Sequence, residues 1–293
     1  MHNRAYSQNV PTKTIYFLAG PKDHGAPGRH ETKLDLLVLQ HCIDSIANVK
    51  GVKIITKFLY KRSALDIEDL KGVDALIIES SAESSSALRT HPIFPPSNGN
   101  TKTYDKATLD YLAQVDSLHK HGMGIMVLHW AISTSNQKAS QYYMDWFGQA
   151  RLEGYTHNPA GNWVVTPMES GKKHPIMRGV GAFTYKDEIF SRLLVNAGDP
   201  YRTDLLSGLA EKTNQGVVDE PFAIASAYEK KGARGILWGG MDYHSAFLNE
   251  NYLRFVLNAI VWTTGIDVPA GGVKTAAKQL QLPPSTGPNE PIK

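Results

Sequence analysis

Short apolar runs alternate with longer segments of helical periodicity along the first half of the chain. Two segments carry apolar side chains at helical spacing and predict helices, residues 30–47 and 106–121, and a shorter helical stretch covers residues 64–71. Four runs rich in aliphatic and β-branched residues predict buried strands: residues 14–19, 52–56, 74–79 and 124–128. This alternation predicts an α/β fold, doubly wound around a mostly parallel sheet with helices on both faces.

The second half of the chain is less regular. Residues 151–201 show no clear periodicity of apolar positions, and we expect an irregular insertion of strands and long loops there, laid over the carboxyl edge of the sheet. Residues 222–228 and 235–240 predict a strand pair with a turn at 230–232, and residues 251–264 predict an amphipathic helix.

The expected organisation is a single domain with two tails. The domain spans residues 13–273, after a flexible N-terminus of residues 1–12 and before a Pro-rich C-terminal tail of residues 274–293, which we expect to be disordered from Leu282. Residues 80–100 are rich in Ser and Pro and predict irregular structure.

Composition and charge argue against a nucleic-acid-binding protein and against a membrane-spanning one. The chain is 42% hydrophobic with a net charge of +3, and it has no Lys/Arg run, so nucleic acid is not an expected partner. No apolar run reaches membrane-spanning length. The first twelve residues are polar, which fits a cytoplasmic protein or a periplasmic or secreted one whose signal peptide has been removed. The single cysteine, Cys42, lies in an apolar helical pattern and is expected to be a buried, inert thiol.

Histidines follow three of the predicted strands. His129 comes directly after the run 124–128, His24 follows the first strand, and His244 follows the strand that ends near residue 240. Because the carboxyl ends of parallel strands share one edge of a sheet, these imidazoles are expected to converge on one crevice. Such a group suits a divalent metal such as Zn, Mn or Ni, with Zn the first choice, and equally suits metal-free acid–base catalysis. No phosphate-binding loop or dinucleotide-binding glycine motif is present, so no nucleotide cofactor is expected.

Several short motifs follow one another along the chain: Lys22-Asp23-His24-Gly25 with His30, residues 124–131, Tyr155-Thr156-His157-Asn158-Pro159, residues 174–180 followed by Asp187-Glu188, residues 232–244, and Asn258-Ala259-Ile260-Val261-Trp262 before Val268-Pro269. In their order and spacing the chain resembles the ThuA-like (trehalose-utilisation) proteins. The resemblance implies a flavodoxin-like core of the class I glutamine-amidotransferase type and a role in carbohydrate metabolism. In such amidotransferases the turn after the central strand carries a nucleophilic cysteine. His129 takes that position here, so glutamine hydrolysis through a thiolate is excluded.

The positions of polar residues at strand ends and in adjoining loops suggest candidate roles for individual residues. Three histidines, His24, His129 and His244, are the predicted metal ligands. The predicted catalytic residues are Asp187, Glu188 and His157, and the predicted substrate-binding residues are Asp23, His30, Trp130, Asn158 and Asp242.

The sequence is compatible with three functions. The first is a metal-assisted enzyme of hydrolase or lyase type that acts on a sugar, glycoside or keto-sugar. The second is a metal-free isomerase or hydratase of keto-sugars, and the third is a non-catalytic sugar-binding module. In each case the expected partner is a small carbohydrate rather than nucleic acid or membrane, and a homo-oligomer stays open.

Overall fold

A nine-stranded sheet organises the computed structural model of the protein, which describes residues 10–60, 64–81, 91–94, 104–134, 136–152 and 154–285. Within these ranges the strands are β1 Thr12–Ala19, β2 Lys53–Tyr60, β3 Ala75–Glu79, β4 Gly124–Leu128, β5 Gln149–Ala150, β6 Ala160–Pro167, β7 Phe183–Glu188, β8 Leu194–Val195, β9 Arg202–Thr213, β10 Gly216–Lys230 and β11 Ala233–Trp238. The α-helices are α1 Thr32–Ser45, α2 Ile67–Leu70, α3 Lys106–Lys120, α4 Gln137–Phe147 and α5 Glu250–Thr263.

The sheet has a parallel half and an antiparallel half. Its strand order is β2-β1-β3-β4-β11-β10-β9-β6-β7, and the first five strands pair in parallel. From β11 onward each neighbouring pair is antiparallel, so only β10 and β6 run against the other strands of this sheet. The predicted α/β fold with a mostly parallel sheet is confirmed, and β7 ends at the same edge as the parallel strands.

Helices cover both faces of the parallel half, as predicted. In β4, Met126 and Leu128 belong to the apolar cluster that includes α1 and α5, whereas Ile125 and Val127 belong to the cluster that includes α3 and α4. Both sides of the strand are therefore buried, which explains its unbroken apolar run. Cys42 is fully buried on α1, and burial raises the pKa of its thiol to about 11.

The antiparallel half curls back toward the parallel half. Register shifts interrupt the pairing of β10 with β9 and of β9 with β6, and such irregularities bend and twist a sheet. Beyond β7, the backbone N–H of Phe190 donates to the carbonyl of Gly239, which follows β11, over 3.2 Å. The ends of β7 and β11 therefore meet, although three strands lie between them.

The second half of the chain contains more regular structure than its pattern indicates. Within residues 151–201, β6 and β7 join the main sheet. The strand β9, Arg202–Thr213, lies just beyond that segment and has no counterpart among the predicted strands. These strands alternate exposed with buried residues or mix charged and apolar ones, so they carry no continuous apolar run. The predicted strand pair is confirmed as β10 and β11, and the amphipathic helix is confirmed as α5.

The two ends of the chain and the Ser/Pro-rich segment are described only in part. Residues 1–9, most of 80–100 and residues 286–293 lie outside the described ranges. The first part of the predicted tail packs on the domain: Ala277 is buried, and Leu280 and Leu282 contact the core. In the part of the chain that the structure describes, no helix has the length and apolar character needed to cross a membrane.

The start of β11 is pressed against the end of α4. A Cβ atom at Gly235 would overlap the carbonyl oxygen of Trp146 and lie 2.9 Å from a ring carbon of Phe147. Only glycine allows this close approach of helix and strand.

We expect Gly235→Ala to lower the free energy of unfolding by about 3 kcal/mol, because the backbone of α4 or β11 must shift. Urea denaturation measures this loss. The control is Gly271→Ala, where no atom lies within 4 Å of the added Cβ and the free energy should change by less than about 0.5 kcal/mol. Equal effects of the two substitutions would contradict the packing described here.

Candidate functional site

Side chains from four separate segments meet at the carboxyl edge of the sheet. The loop after β1 supplies His24 and His30, the turn after β4 supplies His129, and the segment after β11 supplies Asp242. The end of β7 supplies Glu188. Ligands of α/β proteins bind at this edge.

His129 is held in a strained turn immediately after β4. It opens a short 3-10 helix, His129–Ile132, and its φ of 45° lies in the left-handed region that non-glycine residues rarely adopt. Its Nδ1 lies 3.2 Å from the Gly239 carbonyl oxygen, to which the Nδ1–H donates. Its Nε2 is buried and has no hydrogen-bond partner among the described residues. Burial lowers the pKa of His129 to about 4.

His30 and Asp242 face this free nitrogen. The Asp242 Oδ1 atom lies 3.2 Å from Nε2 of His30 and 3.9 Å from Nε2 of His129. The His30 backbone N–H also donates to the Asp242 carbonyl over 2.9 Å, and its φ of 52° is again left-handed. Burial, followed by the neighbouring His129, lowers the pKa of His30 far below its ordinary value. Within the described residues, these three buried side chains form a group whose ligand atoms lie within 4.8 Å of one another and could hold a metal ion.

One spacing in this group matches a tetrahedral metal. Zn–ligand bonds of 2.0–2.1 Å separate neighbouring ligand atoms by about 3.3 Å, close to the 3.2 Å between Asp242 and His30. His129 lies farther from Asp242, at 3.9 Å, so its ring would shift toward a bound ion. The Asp242 Oδ1 atom, like Nε2 of His129, is buried without a hydrogen bond to any described residue. Buried polar atoms are rarely left unsatisfied, and a bound ion is one of the arrangements that accounts for them.

Arg29 fixes the orientation of the aspartate. Its Nε donates to Asp242 Oδ2 over 2.6 Å, and its Nη2 donates to Glu188 Oε2 over 2.8 Å. The other oxygen of Glu188 accepts from Asn158 Nδ2 over 2.8 Å. Arg29 therefore occupies one oxygen of Asp242 and leaves the other directed at the two histidines. Burial raises the pKa of Asp242, and the Arg29 guanidinium opposes that rise.

Asp187 anchors the segment that carries Asp242. Its fully buried carboxylate accepts from the backbone N–H groups of Met241, Asp242 and Tyr243, at 2.8, 2.9 and 3.1 Å, and from that of Glu188 at 3.0 Å. Met241 also has a left-handed φ of 92°. Both oxygens of Asp187 are thus occupied in fixing the backbone at the site.

His24 lies at the mouth of the site. Its Nδ1 is 2.5 Å from Asp23 Oδ1, its ring centroid is 4.0 Å from that of His30, and its side chain is 39% exposed. Trp130 presents an edge to both imidazoles, with centroids 5.2 and 6.2 Å apart. Three residues predicted to bind substrate, Asp23, His30 and Trp130, therefore lie together beside His129.

His244 lies in a separate acidic cluster on the α1 side of the sheet. Its Nδ1 contacts Oδ1 of the fully buried Asp35, and buried Glu79 at the end of β3 lies nearby. Burial raises the pKa of Asp35 to about 6 and that of Glu79 well above its usual value, and Asp35 raises the pKa of His244.

The ligand set predicted from the sequence therefore shares only His129 with the group that the structure assembles. His24 is adjacent to that group, and His244 is directed to Asp35. His157 is exposed, and its backbone pairs with that of Ser191 beyond the group.

Arg29, Asp35 and Glu79 were not singled out from the sequence. Glu79 could have been recognised from the sequence, because it is a charged residue at the end of an apolar strand. Asp35 could have been recognised likewise, because it is an acidic residue within the apolar pattern of α1. No sequence pattern marks Arg29, since it lies in a loop without hydrophobic periodicity.

Comparisons with known proteins agree with this fold. A family model described as trehalose utilisation, ThuA, matches residues 40–263. The fold is similar to a putative ThuA-like protein from Bacteroides uniformis, with a TM-score of 0.58 and 13% identity over 92% of this chain and 98% of the other. A second ThuA-like protein, from Parabacteroides merdae, gives a TM-score of 0.56 and 14% identity over 92% and 99%.

A cytoplasmic protein of Salmonella typhimurium LT2 is similar at a TM-score of 0.52 and 12% identity, over 85% of this chain and 99% of the other. At such low identities these likenesses show the fold alone. No match to the chain is found among curated protein sequences.

We expect Asp187→Asn to lower the free energy of unfolding by about 3 kcal/mol, because an amide group would replace an acceptor facing backbone N–H donors. Urea denaturation again provides the measurement. The matched control is Asp267→Asn, an exposed aspartate whose replacement should change the free energy by less than about 0.5 kcal/mol. A change at Asp187 as small as that at Asp267 would rule out the anchoring role.

Acidification should destabilise the metal-free protein through His129. Its folded pKa of about 4 lies below the ordinary value of 6.5, so between these pH values the unfolded chain binds more protons and stability falls as pH falls. Asparagine tolerates the left-handed backbone, and His129→Asn should therefore remove a slope approaching about 1.4 kcal/mol per pH unit in this window. Unfolding curves of both proteins from pH 4.5 to 7.5 test this, and parallel pH profiles would contradict it.

Proposed function

Because the chain belongs to the ThuA family, we propose that it is a carbohydrate-processing enzyme that acts on a sugar, glycoside or keto-sugar at the group formed by His30, His129 and Asp242, with a divalent metal held there. The observation that carries this proposal is the convergence of three buried ligand atoms from three segments, two of which lack any other partner among the described residues.

The protonation state of His129 favours a ligand over a general base. A pKa of about 4 leaves the imidazole neutral near pH 7, which is the form that binds metals. The same pKa makes it a weak base at that pH, since an effective base has a pKa close to the working pH. The Gly239 carbonyl holds the proton on Nδ1 and leaves the Nε2 lone pair directed at His30 and Asp242, as in many metal sites.

Two imidazoles and one carboxylate are a ligand set that zinc enzymes use, with a fourth position open to water or substrate. A divalent ion bound there would supply Lewis acidity, polarising a sugar carbonyl or lowering the pKa of a water molecule. Zn is our first choice, and the same ligand types also serve Fe(II).

Residues of the chain would then position the substrate and move the proton. We assign the general-base role to Glu188, because Arg29 and Asn158 fix its orientation beside the group and each of its oxygens keeps a second lone pair that can accept a proton. Trp130 and Phe190 pack against each other, with ring centroids 5.8 Å apart, and limit water on one side of the group. The half-buried indole of Trp130 offers an apolar face to a sugar ring.

A second candidate is metal-free acid–base catalysis on a keto-sugar. The observation that favours it is the Asp23–His24 pair, an imidazole oriented by a carboxylate at the mouth of the site. It predicts turnover that a chelator does not change and that His24→Gln abolishes.

The metal proposal predicts tight binding of one Zn²⁺ per chain in protein purified without a polyhistidine tag. Competition with a chromophoric chelator should show that His129→Asn, His30→Asn and Asp242→Asn each weaken Zn²⁺ binding at least about a hundredfold, since each removes one of three ligands.

His41→Ala is the matched control, because His41 is an exposed histidine on α1 and its loss should leave the affinity within about twofold. Wild-type protein that binds no Zn²⁺, or ligand variants that bind as His41→Ala does, would refute the metal site. Loss of turnover of glycosides or keto-glycosides on chelation, and its recovery on adding Zn²⁺ back, would separate the first candidate from the second.

A further inference from the structure

A cavity opens at the same edge of the sheet and is lined in part by the segment that follows Glu188. It has a volume of about 330 Å³ and is lined by Tyr155, Ser191, Arg192 and residues 217–222. This space is not part of the His30–His129–Asp242 group. It lies where the antiparallel strands β9 and β10 meet, because the turn between them ends at Gly216 on this edge.

One short segment connects the two sites. It leaves β7 at Glu188, packs Phe190 against His129 with ring centroids 5.5 Å apart, and reaches the cavity at Ser191 and Arg192. An extended chain rises about 3.3 Å per residue, so Glu188 and Ser191 are separated by at most about 10 Å. The two spaces are therefore neighbours along one wall.

Backbone hydrogen bonds connect the segment after β7 to the residues that bind the Glu188 side chain. The Ser191 N–H donates to the His157 carbonyl over 2.7 Å, and the His157 N–H donates back over 3.1 Å. The next residue, Asn158, donates to Glu188 and accepts from Gln215, which precedes the cavity-lining part of β10. A ligand that contacts the cavity would thus touch elements already coupled to the site.

The lining has the chemistry that recognises a sugar ring. Tyr155 is 50% exposed and Phe222 is half-buried, so both offer apolar ring surface, while Arg192, Asp219 and Glu220 offer planar charged groups. Aromatic faces pack on the C–H face of a sugar, and guanidinium or carboxylate groups form paired hydrogen bonds to neighbouring hydroxyls. A purely apolar ligand would leave these charged groups desolvated and unpaired.

The backbone is bent specifically where the cavity forms. The register of β10 against β9 shifts between Val218 and Phe222, which makes the intervening residues protrude from the sheet. Arg192 adopts a left-handed φ of 54°, an energetically unfavourable conformation for a non-glycine residue. Bulges and strained residues of this kind gather at ligand sites.

We propose that this cavity is a second sugar subsite, which binds the neighbouring ring of a glycoside whose first ring lies at the His30–His129–Asp242 group. The proposal rests on the proposed function and deepens it, because it assigns the residues that contact the second ring. Tyr155 and Arg192 are the side chains that would distinguish a disaccharide from a single sugar.

The test compares trehalose with glucose by ligand-observed NMR titration, which measures weak dissociation constants. Trehalose should bind wild-type protein at least threefold more tightly than glucose. We expect Tyr155→Ala and Arg192→Gly each to weaken trehalose binding about three- to tenfold and to change glucose binding less than twofold. Glycine at position 192 keeps the left-handed backbone while removing the side chain.

Tyr201→Ala is the matched control, because Tyr201 is similarly exposed at 40% and precedes β9, whose first residue lies at the opposite edge of the sheet. It should leave both affinities unchanged. Circular dichroism confirms that each variant is folded.

Three outcomes would overturn the subsite: trehalose that binds no more tightly than glucose, variants that leave trehalose binding unchanged, or the absence of binding by either sugar. Each titration is run with and without one equivalent of Zn²⁺. If the metal site is wrong, the protein will bind no Zn²⁺. The ratio of the trehalose affinity to the glucose affinity is measured independently and still tests the subsite.

Discussion

The carboxylate of Asp187 is the contact on which the geometry of the site depends. It accepts four backbone N–H groups, three of them from consecutive residues after β11, and so joins the end of β7 to the segment that carries Asp242. Burial raises the pKa of Asp187 to about 8, and the backbone N–H donors of Met241, Tyr243 and Glu188 oppose that rise because they stabilise the charged form. Without this junction the curl of the antiparallel half would not bring Glu188 to the histidines of the parallel half, and the segment after β11 that carries Asp242 would lose its anchor.

The site also concentrates unfavourable features that the rest of the fold must offset. Three non-glycine residues with left-handed backbone, His30, His129 and Met241, lie within it. Such conformations cost on the order of 1–3 kcal/mol each, and buried polar atoms without partners add a similar amount. Folds keep such strain where it has a use, and two of these strained residues supply proposed ligands while the third precedes Asp242. Binding of a metal would recover part of this energy because only the folded chain brings the ligands together.

The sequence predicts the parallel half of this fold well and the site only in part. β4 and the position of His129 follow directly from an apolar run that ends in a polar residue, and α5 and the β10–β11 pair follow from their periodicity. His30 and Asp242 were expected to contact substrate rather than to form a ligand group with His129. That grouping depends on how the loop after β1 packs against the segment after β11. The hydrophobic periodicity of neither segment contains this information. Strands are expected within residues 151–201 without bounds or partners, and β9 lies outside that segment. The bounds of β6, β7 and β9 could not be predicted because none of the three is a continuous apolar run.

The central claim is that His30, His129 and Asp242 hold one divalent ion. X-ray absorption spectroscopy of the Zn-loaded protein at the zinc edge tests it most directly, because the spectrum reports the ligand types and their distances. We expect scattering from two imidazoles and additional oxygen ligands at about 2.0–2.1 Å, with one imidazole lost in His129→Asn. A spectrum without imidazole scattering, or one that His129→Asn leaves unchanged, would contradict it.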